Sequence, residues 1–400
     1  MNLTTGYPFG LIKSGLPYNY PKLEQSIKTD VIIIGGGISG ALTAYYLINA
    51  GIKCMIVDAR TIGLGSTCAS TSLLQYELDK PLTELTDLIG WDAAMLSYNL
   101  CSESIDTLEK ICRKIKFKHF QKQESLFFAA YKKDQKLLES EFASRKKAGF
   151  NVKLLDEKDV QKKFGFNAPA AILSSQGAST DAYLLTHALL QAGIKKGLQV
   201  YDRTEITKIS YNKRSVKLNT LNKNSISAGR IVNASGYEIT EFIDKKIVKL
   251  NSTYALASEQ LSGGIIPWKE RALLWNTADP YLYMRLSDDN RIILGGRDEE
   301  FYNPKVRDNL IKQKTALLKK DFQKLFPESE LIPEFSWTGT FGSTKDALPY
   351  IGLYSKTPHT YYALGFGGNG ITFSVIAAEI IRDMITGKKN KYESLFSFSR

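Results

Sequence analysis

Residues 29–58 read TDVIIIGGGISGALTAYYLINAGIKCMIVD. The β-branched run Val31–Ile34 predicts a buried strand over Thr29–Ile34, and the Ala/Leu/Tyr pattern after it predicts a helix over Ser39–Ala50. A second strand follows over Lys53–Asp58. Between strand and helix stand Gly35, Gly37 and Gly40. Gly35 permits a tight turn, Gly37 lets backbone approach a pyrophosphate, and Gly40 lets helix and strand pack closely. The helix start then offers free N–H groups and a favourable dipole to phosphate. Asp58 ends the next strand, where a carboxylate accepts from an adenosine ribose and repels a 2′-phosphate. The uncharged run Val31–Ile52 is about as long as a membrane-spanning helix, but its glycines divide it into strand, turn and helix.

Outward from this unit, residues 1–27 read as an irregular arm and Gly63–Gln75 as a Gly/Ser/Thr-rich loop. Helical patterns run to about Arg145. Strands are predicted over Asn151–Leu155 and Ala171–Leu173, a helix over Asp181–Lys196, and hairpin material over Gln199–Leu218. Ile231–Ala234 is a short buried strand, Tyr254–Gly296 a β region, and Lys312–Phe326 a helix. A second glycine-rich loop, Ala363–Gly370, precedes a helix over Thr372–Thr386. Nucleotide-like motifs thus stand at the start, middle and end, which predicts two interleaved domains. The expected cofactor domain takes 1–85, 150–245 and 335–400; the expected substrate domain takes 86–149 and 246–334.

The composition is that of an ordinary globular protein: 400 residues, 43% hydrophobic and 24% charged. The net charge of +12 comes mostly from scattered lysines. A local cluster, Lys110 to Lys122, reads as a surface helix running into a strand, and no nucleic-acid module accompanies it. Four cysteines without a CxxC pair, and no visible secretory signal in Met1–Tyr20, predict reduced thiols in a cytoplasmic protein. No metal site and no integral membrane segment are expected.

Four blocks carry a family resemblance: residues 30–47, GSTCASTSLLQ (65–75), IVNASG (231–236), and WTGTFGSTKDALPYIG (337–352) with ALGFGGNGITFS (363–374). Together they resemble the D-amino acid oxidase superfamily, in its glycine oxidase, sarcosine oxidase and gamma-glutamylputrescine oxidase branch. The resemblance implies an α/β (α+β overall) chain, with a Rossmann-type FAD-binding domain interleaved with a smaller β-sheet-plus-helix substrate domain. It implies an FAD site made from Gly35, Gly37, Ile38, Ser39, Gly40, Asp58, Ala59 and Arg60. Ser66, Thr67, Ser70 and Thr71 join it from the next loop, and Ile206, Ala234, Ser235 and Gly236 from the middle of the chain. Gly365, Gly367, Gly368, Asn369, Gly370, Ile371 and Thr372 complete it, with the helix start favouring negative charge on reduced flavin. Some relatives tether FAD through a cysteine in the segment matching 341–345. Here that segment is Phe341-Gly342-Ser343-Thr344-Lys345, so non-covalent FAD is expected.

The resemblance also implies oxidation of a C–N bond by hydride transfer to flavin N5, giving an imine. The substrate is then a small amine or amino acid, and oxygen, a quinone or another carrier is the electron acceptor. Glycine oxidase carries an Arg four residues before the shared Lys-Asp; here that position is Phe341, which favours an amine or an acid bound differently. Tyr281, Tyr283 and Arg285 alternate on one strand face, and Arg285 is a candidate carboxylate ligand or an exposed sheet residue. Tyr254 and Lys345 are further pocket candidates, against core and surface readings. Two other functions stay open at this point: a noncatalytic flavoprotein on the same fold, and an NAD-dependent dehydrogenase.

Overall fold

The computed structural model describes residues 3–241, 243, 247–261, 266–268 and 271–400. The opening motif folds as its pattern dictates, with strand Ile27–Ile34, helix Ile38–Asn49 and strand Cys54–Val57. Val31, Ile33, Cys54 and Ile56 face one core, while Ile32, Met55 and Val57 face another. A parallel strand covered on both faces needs such an unbroken apolar run.

Around this pair grows a sheet of eight strands among the described residues. Gln199–Tyr201 adds in parallel beside Cys54–Val57, and Ser225–Asn233 beside Ile27–Ile34. The strand Ser225–Asn233 then serves two neighbours. Its first half pairs with Val216–Thr220, which leads to Ile206–Tyr211. Its second half pairs in parallel with Thr360–Leu364. The IVNASG block is therefore the end of a nine-residue strand rather than a short one. Helices Ile38–Asn49, Ala182–Ile194, Gly370–Thr386 and Trp91–Lys114 pack on one face and share its core.

A second sheet has nine strands among the described residues. Its centre is Pro333–Ser343, Lys249–Ser258, Ile292–Glu300 and Tyr283–Leu286, all antiparallel neighbours. Thr4–Gly6 closes one edge, so the expected irregular arm contributes a strand. Leu273–Asn276, Ser125–Phe128, Ala170–Ser174 and Val152–Asp156 extend the other. Helix Ile311–Leu325 covers one face through Leu318 and Phe322. A small sheet of Leu73–Gln75, Gly177–Thr180 and Phe120–Lys122 lies apart from both.

The exchange points between the layers differ from those read from the sequence. Residues 152–174 and 333–343 pair into the second sheet instead of the cofactor layer. The long helix Trp91–Lys114 belongs with the cofactor layer, because Ala94, Tyr98, Cys101, Ile105 and Leu108 enter its core. Strands Phe120–Lys122 and Ser125–Phe128 interrupt the expected helical stretch. Both are short, and their partners lie far off in the chain. The four cysteines are free and buried. Among the described residues, no helix is long and apolar enough to cross a membrane.

The tightest packing lies at the first turn. A β-carbon on Gly40 would stand 1.9 Å from the Gly35 carbonyl oxygen. That oxygen is backbone in the turn that ends strand Ile27–Ile34, and it cannot move aside without shifting the chain. Gly40→Ala is expected to destabilise the fold by about 1–3 kcal/mol, as overpacking does; urea unfolding of the two proteins measures the difference.

Candidate functional site

The strands Ile27–Ile34 and Ser225–Asn233 end side by side, and the chain must turn there without side chains. Gly35 has φ +107°, and a β-carbon on it would lie 2.5 Å from the Ala234 carbonyl oxygen. The turn feeds helix Ile38–Asn49. Its Ile38 N–H is capped by Thr67 Oγ1 at 3.0 Å. Asp58 ties the turn from the other side: its two oxygens accept from the Gly36 N–H at 2.7 Å and the Arg60 N–H at 2.8 Å. Carboxylate oxygens carry more lone pairs than these two bonds use, so Asp58 can still accept from a ribose.

A second helix start meets the first. Ser39 Oγ lies 2.7 Å from Ser374 Oγ, joining helix Ile38–Asn49 to helix Gly370–Thr386. Asn369, just before the second helix, donates to the carbonyls of Glu77 at 2.8 Å and Gln75 at 3.2 Å. Asp79 accepts from the Gly368 N–H at 2.9 Å and from the Tyr281 hydroxyl at 3.1 Å. Burial pushes the Asp79 carboxyl above its ordinary value, while both donors oppose the shift. The glycine-rich loop 365–370 is thus fixed by residues 75–79 and by the second sheet.

These parts enclose one cavity of about 630 Å³, within the usual range for cofactor and ligand clefts, about 300–1,000 Å³. Every residue expected to hold the cofactor lines it except Gly40, whose role is the helix–strand packing described above. At one end Arg60 pairs with Glu238, with Arg60 Nη1 and Glu238 Oε2 3.0 Å apart. At the other, Thr253, Tyr281, Tyr283, Asp298 and Phe341 form the wall. Tyr283 lies across Gly295, where a β-carbon would meet its ring at 2.4 Å. Three buried polar atoms on the lining have no partner: Ser66 Oγ, Gln75 Nε2 and Asp298 Oδ1.

A family model matches most of the chain. The model described as FAD dependent oxidoreductase (DAO) covers residues 30–384. The chain belongs to the FAD dependent oxidoreductase family. The probable oxidoreductase OrdL of Haemophilus influenzae is 23% identical over 92% of this chain and 86% of its own. Gamma-glutamylputrescine oxidoreductase of Escherichia coli is 22% identical over 94% of this chain and 88% of its own. The crystal structure of glycine oxidase from Geobacillus kaustophilus superposes with a TM-score of 0.79 at 18% identity, covering 93% of this chain and 99% of that one. The α/β architecture and the FAD requirement implied by the resemblance therefore stand.

The residues present fit FAD. Two helix starts and the loop around Ser66 suit a pyrophosphate, and Asp58 suits a ribose. The unpaired Ser66 hydroxyl and Gln75 amide, both buried on the lining, are the donors a long polar cofactor needs. Among the described lining residues there is no Cys or His.

Three of the five expected substrate-side residues lie elsewhere. Tyr254 is 1% exposed and sits in the core beneath helix Ile311–Leu325, with its hydroxyl on the Arg307 carbonyl at 3.3 Å. Its neighbour Thr253 faces the cavity instead, since successive strand residues point to opposite faces. Lys345 is exposed in the turn after Pro333–Ser343. Arg285 is buried on a separate pocket of about 100 Å³. It donates to the carbonyls of Thr71 at 2.6 Å and Leu286 at 3.1 Å, and burial pulls its guanidinium down to about 10. Arg285 is neither an exposed sheet residue nor a cavity cation; it anchors the Ser66–Thr71 loop. Tyr283 and Phe341 do line the cavity. Sequence reasoning missed Asp79, Asp298 and Thr253, which carry no local motif.

Gly37→Val places methyl groups into the cradle, where even a β-carbon meets Thr67 Oγ1 at 2.8 Å. The purified variant is expected to lose its flavin absorbance. Arg285→Ala orphans buried carbonyls, each worth about 1–3 kcal/mol. It is expected to lower the melting temperature and flavin content while leaving the ratio of activities on acidic and basic substrates unchanged. A changed ratio would return Arg285 to the substrate.

Proposed function

We propose that this protein oxidises the C–N bond of a small amine or amino acid, giving an imine that water hydrolyses. The observation that carries the proposal is the continuity of one cavity from the dinucleotide cradle to the tyrosine wall. FAD bound along that cavity supplies the acceptor for hydride from the carbon next to nitrogen. The chain's own residues hold, orient and desolvate. Ser66, Asp58 and the starts of the two helices hold the nucleotide half, and the loop Gly365–Gly370 holds the ring half. Phe341, Tyr281 and Tyr283 exclude water at the reacting end. Among the described lining residues there is no His or Cys to act as acid, base or nucleophile, which suits a reaction driven by position. With no such residue to tether it, FAD is held by non-covalent contacts. The names of the Escherichia coli and Geobacillus relatives support a nitrogen beside the reacting carbon.

The test is an anaerobic absorbance spectrum of the FAD-loaded protein before and after adding a panel of amines and amino acids. Bleaching of the flavin band by one of these classes, and not by 2-hydroxy acids or polyols, is expected. Bleaching by hydroxy compounds alone, or by nothing in the panel, would overturn the reading.

A further inference from the structure

The wall formed by the second sheet carries a charge that none of the chemistry above uses. Asp298 follows Gly295 and Gly296 on strand Ile292–Glu300 and lines the cavity beside Tyr281, Tyr283 and Thr253. Its Oδ1 is shut off from solvent and accepts no hydrogen bond of normal length in the protein, while the Thr253 hydroxyl lies near enough to the carboxyl to stabilise its charge in part. A buried carboxyl oxygen left unpaired is costly unless something binds it. Among the described lining residues Arg60 is the one cation, and it is paired with Glu238 at the opposite, nucleotide end.

We propose that this end of the cavity takes an alkylammonium substrate with no carboxylate on its reacting carbon, and that Asp298 docks the ammonium and accepts its proton. The inference rests on the amine reading above and narrows its substrate class. An amino acid would bring its carboxylate against Asp298 with no cation among the described lining residues there to balance the two, and Lys314, whose charge reaches Asp298 from behind the wall, is already paired with Glu299. An ammonium meets a carboxylate, hydroxyls and aromatic faces, all of which attract it. The proton step balances simply. One N–H bond breaks, an O–H bond forms on Asp298, and the electron pair stays on nitrogen. The amine is then neutral, as loss of hydride from its carbon to FAD requires.

Electrostatics around the group support the transfer. Burial pushes the Asp298 carboxyl up to about 7, and the charges of Asp79 and Asp279 act in the same direction. The Thr253 hydroxyl and the Lys314 ammonium oppose them. Tyr254, Tyr281 and Tyr283 also feel the Asp298 charge and stay protonated. A base with this affinity works near neutral pH. Below about 7 Asp298 is protonated and cannot dock a cation. Binding therefore strengthens as pH rises through that value and levels above it.

Two probes that share a tert-butyl group and differ in charge separate this inference from turnover. The tert-butylammonium ion carries the charge but has no hydrogen on the carbon next to nitrogen, so it cannot be oxidised. Pivalate is its anionic counterpart. Both are titrated into the FAD-loaded full chain, and the flavin spectrum reports binding. Tert-butylammonium is expected to bind about 10- to 100-fold more tightly than pivalate, the range of a charge-assisted hydrogen bond. Its affinity should rise with pH through about 7, and Asp298→Asn should abolish both the preference and the pH dependence at unchanged FAD content. Equal or tighter binding of pivalate to the wild-type protein overturns the inference, whether or not the variant folds. So does an Asp298→Asn protein that keeps FAD and binds the ammonium as before. If the ammonium binds as expected but no amine bleaches the flavin, the amine-oxidation reading fails while the cation site stands.

Discussion

The close meeting of Gly35 with Ala234 is the constraint on which the site depends. Two parallel strands, 27–34 and 225–233, end together, and the Ala234 N–H donates to the Ile34 carbonyl at 2.8 Å. No side chain fits between the turns that follow. The first helix consequently starts at a fixed distance from the sheet edge, with its early N–H groups facing the cavity. Asp58, Thr67 and Ser374 then tie down what that contact has placed.

From that origin the cavity acquires two electrical ends. The cradle is built from helix starts and backbone N–H groups, which favour anions. The far wall is built from tyrosine hydroxyls and a carboxylate, with Asp79 close behind. Opposite polarity along one cavity orients a ligand set lengthwise: phosphates seek one end and cations the other. Arg60 does not blur this pattern, because Glu238 neutralises it locally.

The cofactor half was legible in the sequence because its signals are local. Strand, turn and helix lie within residues 27–57, and a glycine spacing there has a steric meaning that needs no other part of the chain. The substrate half was less legible because its meaning is relational. Strand 333–343 reads as a neighbour of the motif that follows it, yet its partners are residues 249–258. Which face Tyr254 takes depends on the register shift between Ser252 and Tyr254 and on a strand buried on both faces, neither of which the local sequence shows. Arg285 does alternate with the two tyrosines, but it lies past the cavity's rim, where the loop at Thr71 crosses. Asp79 and Asp298 are single acids whose significance arises only when residues 219 positions apart are brought near each other.

The edge strand Thr4–Gly6 carries a consequence for biosynthesis. Its partners are Trp337–Gly339, and Leu3 beside it lines the cavity. Thr360–Tyr362 must also reach Ile231–Asn233 before the central sheet is whole. A ribosome adds about 5–20 residues each second, so the opening residues wait many seconds for strands 333–343 and 360–364. The cavity accordingly cannot close before residues 363–372 of its lining are made. Until then, the nascent chain holds an open sheet edge and an unfinished core, the kind of exposure that chaperones shield.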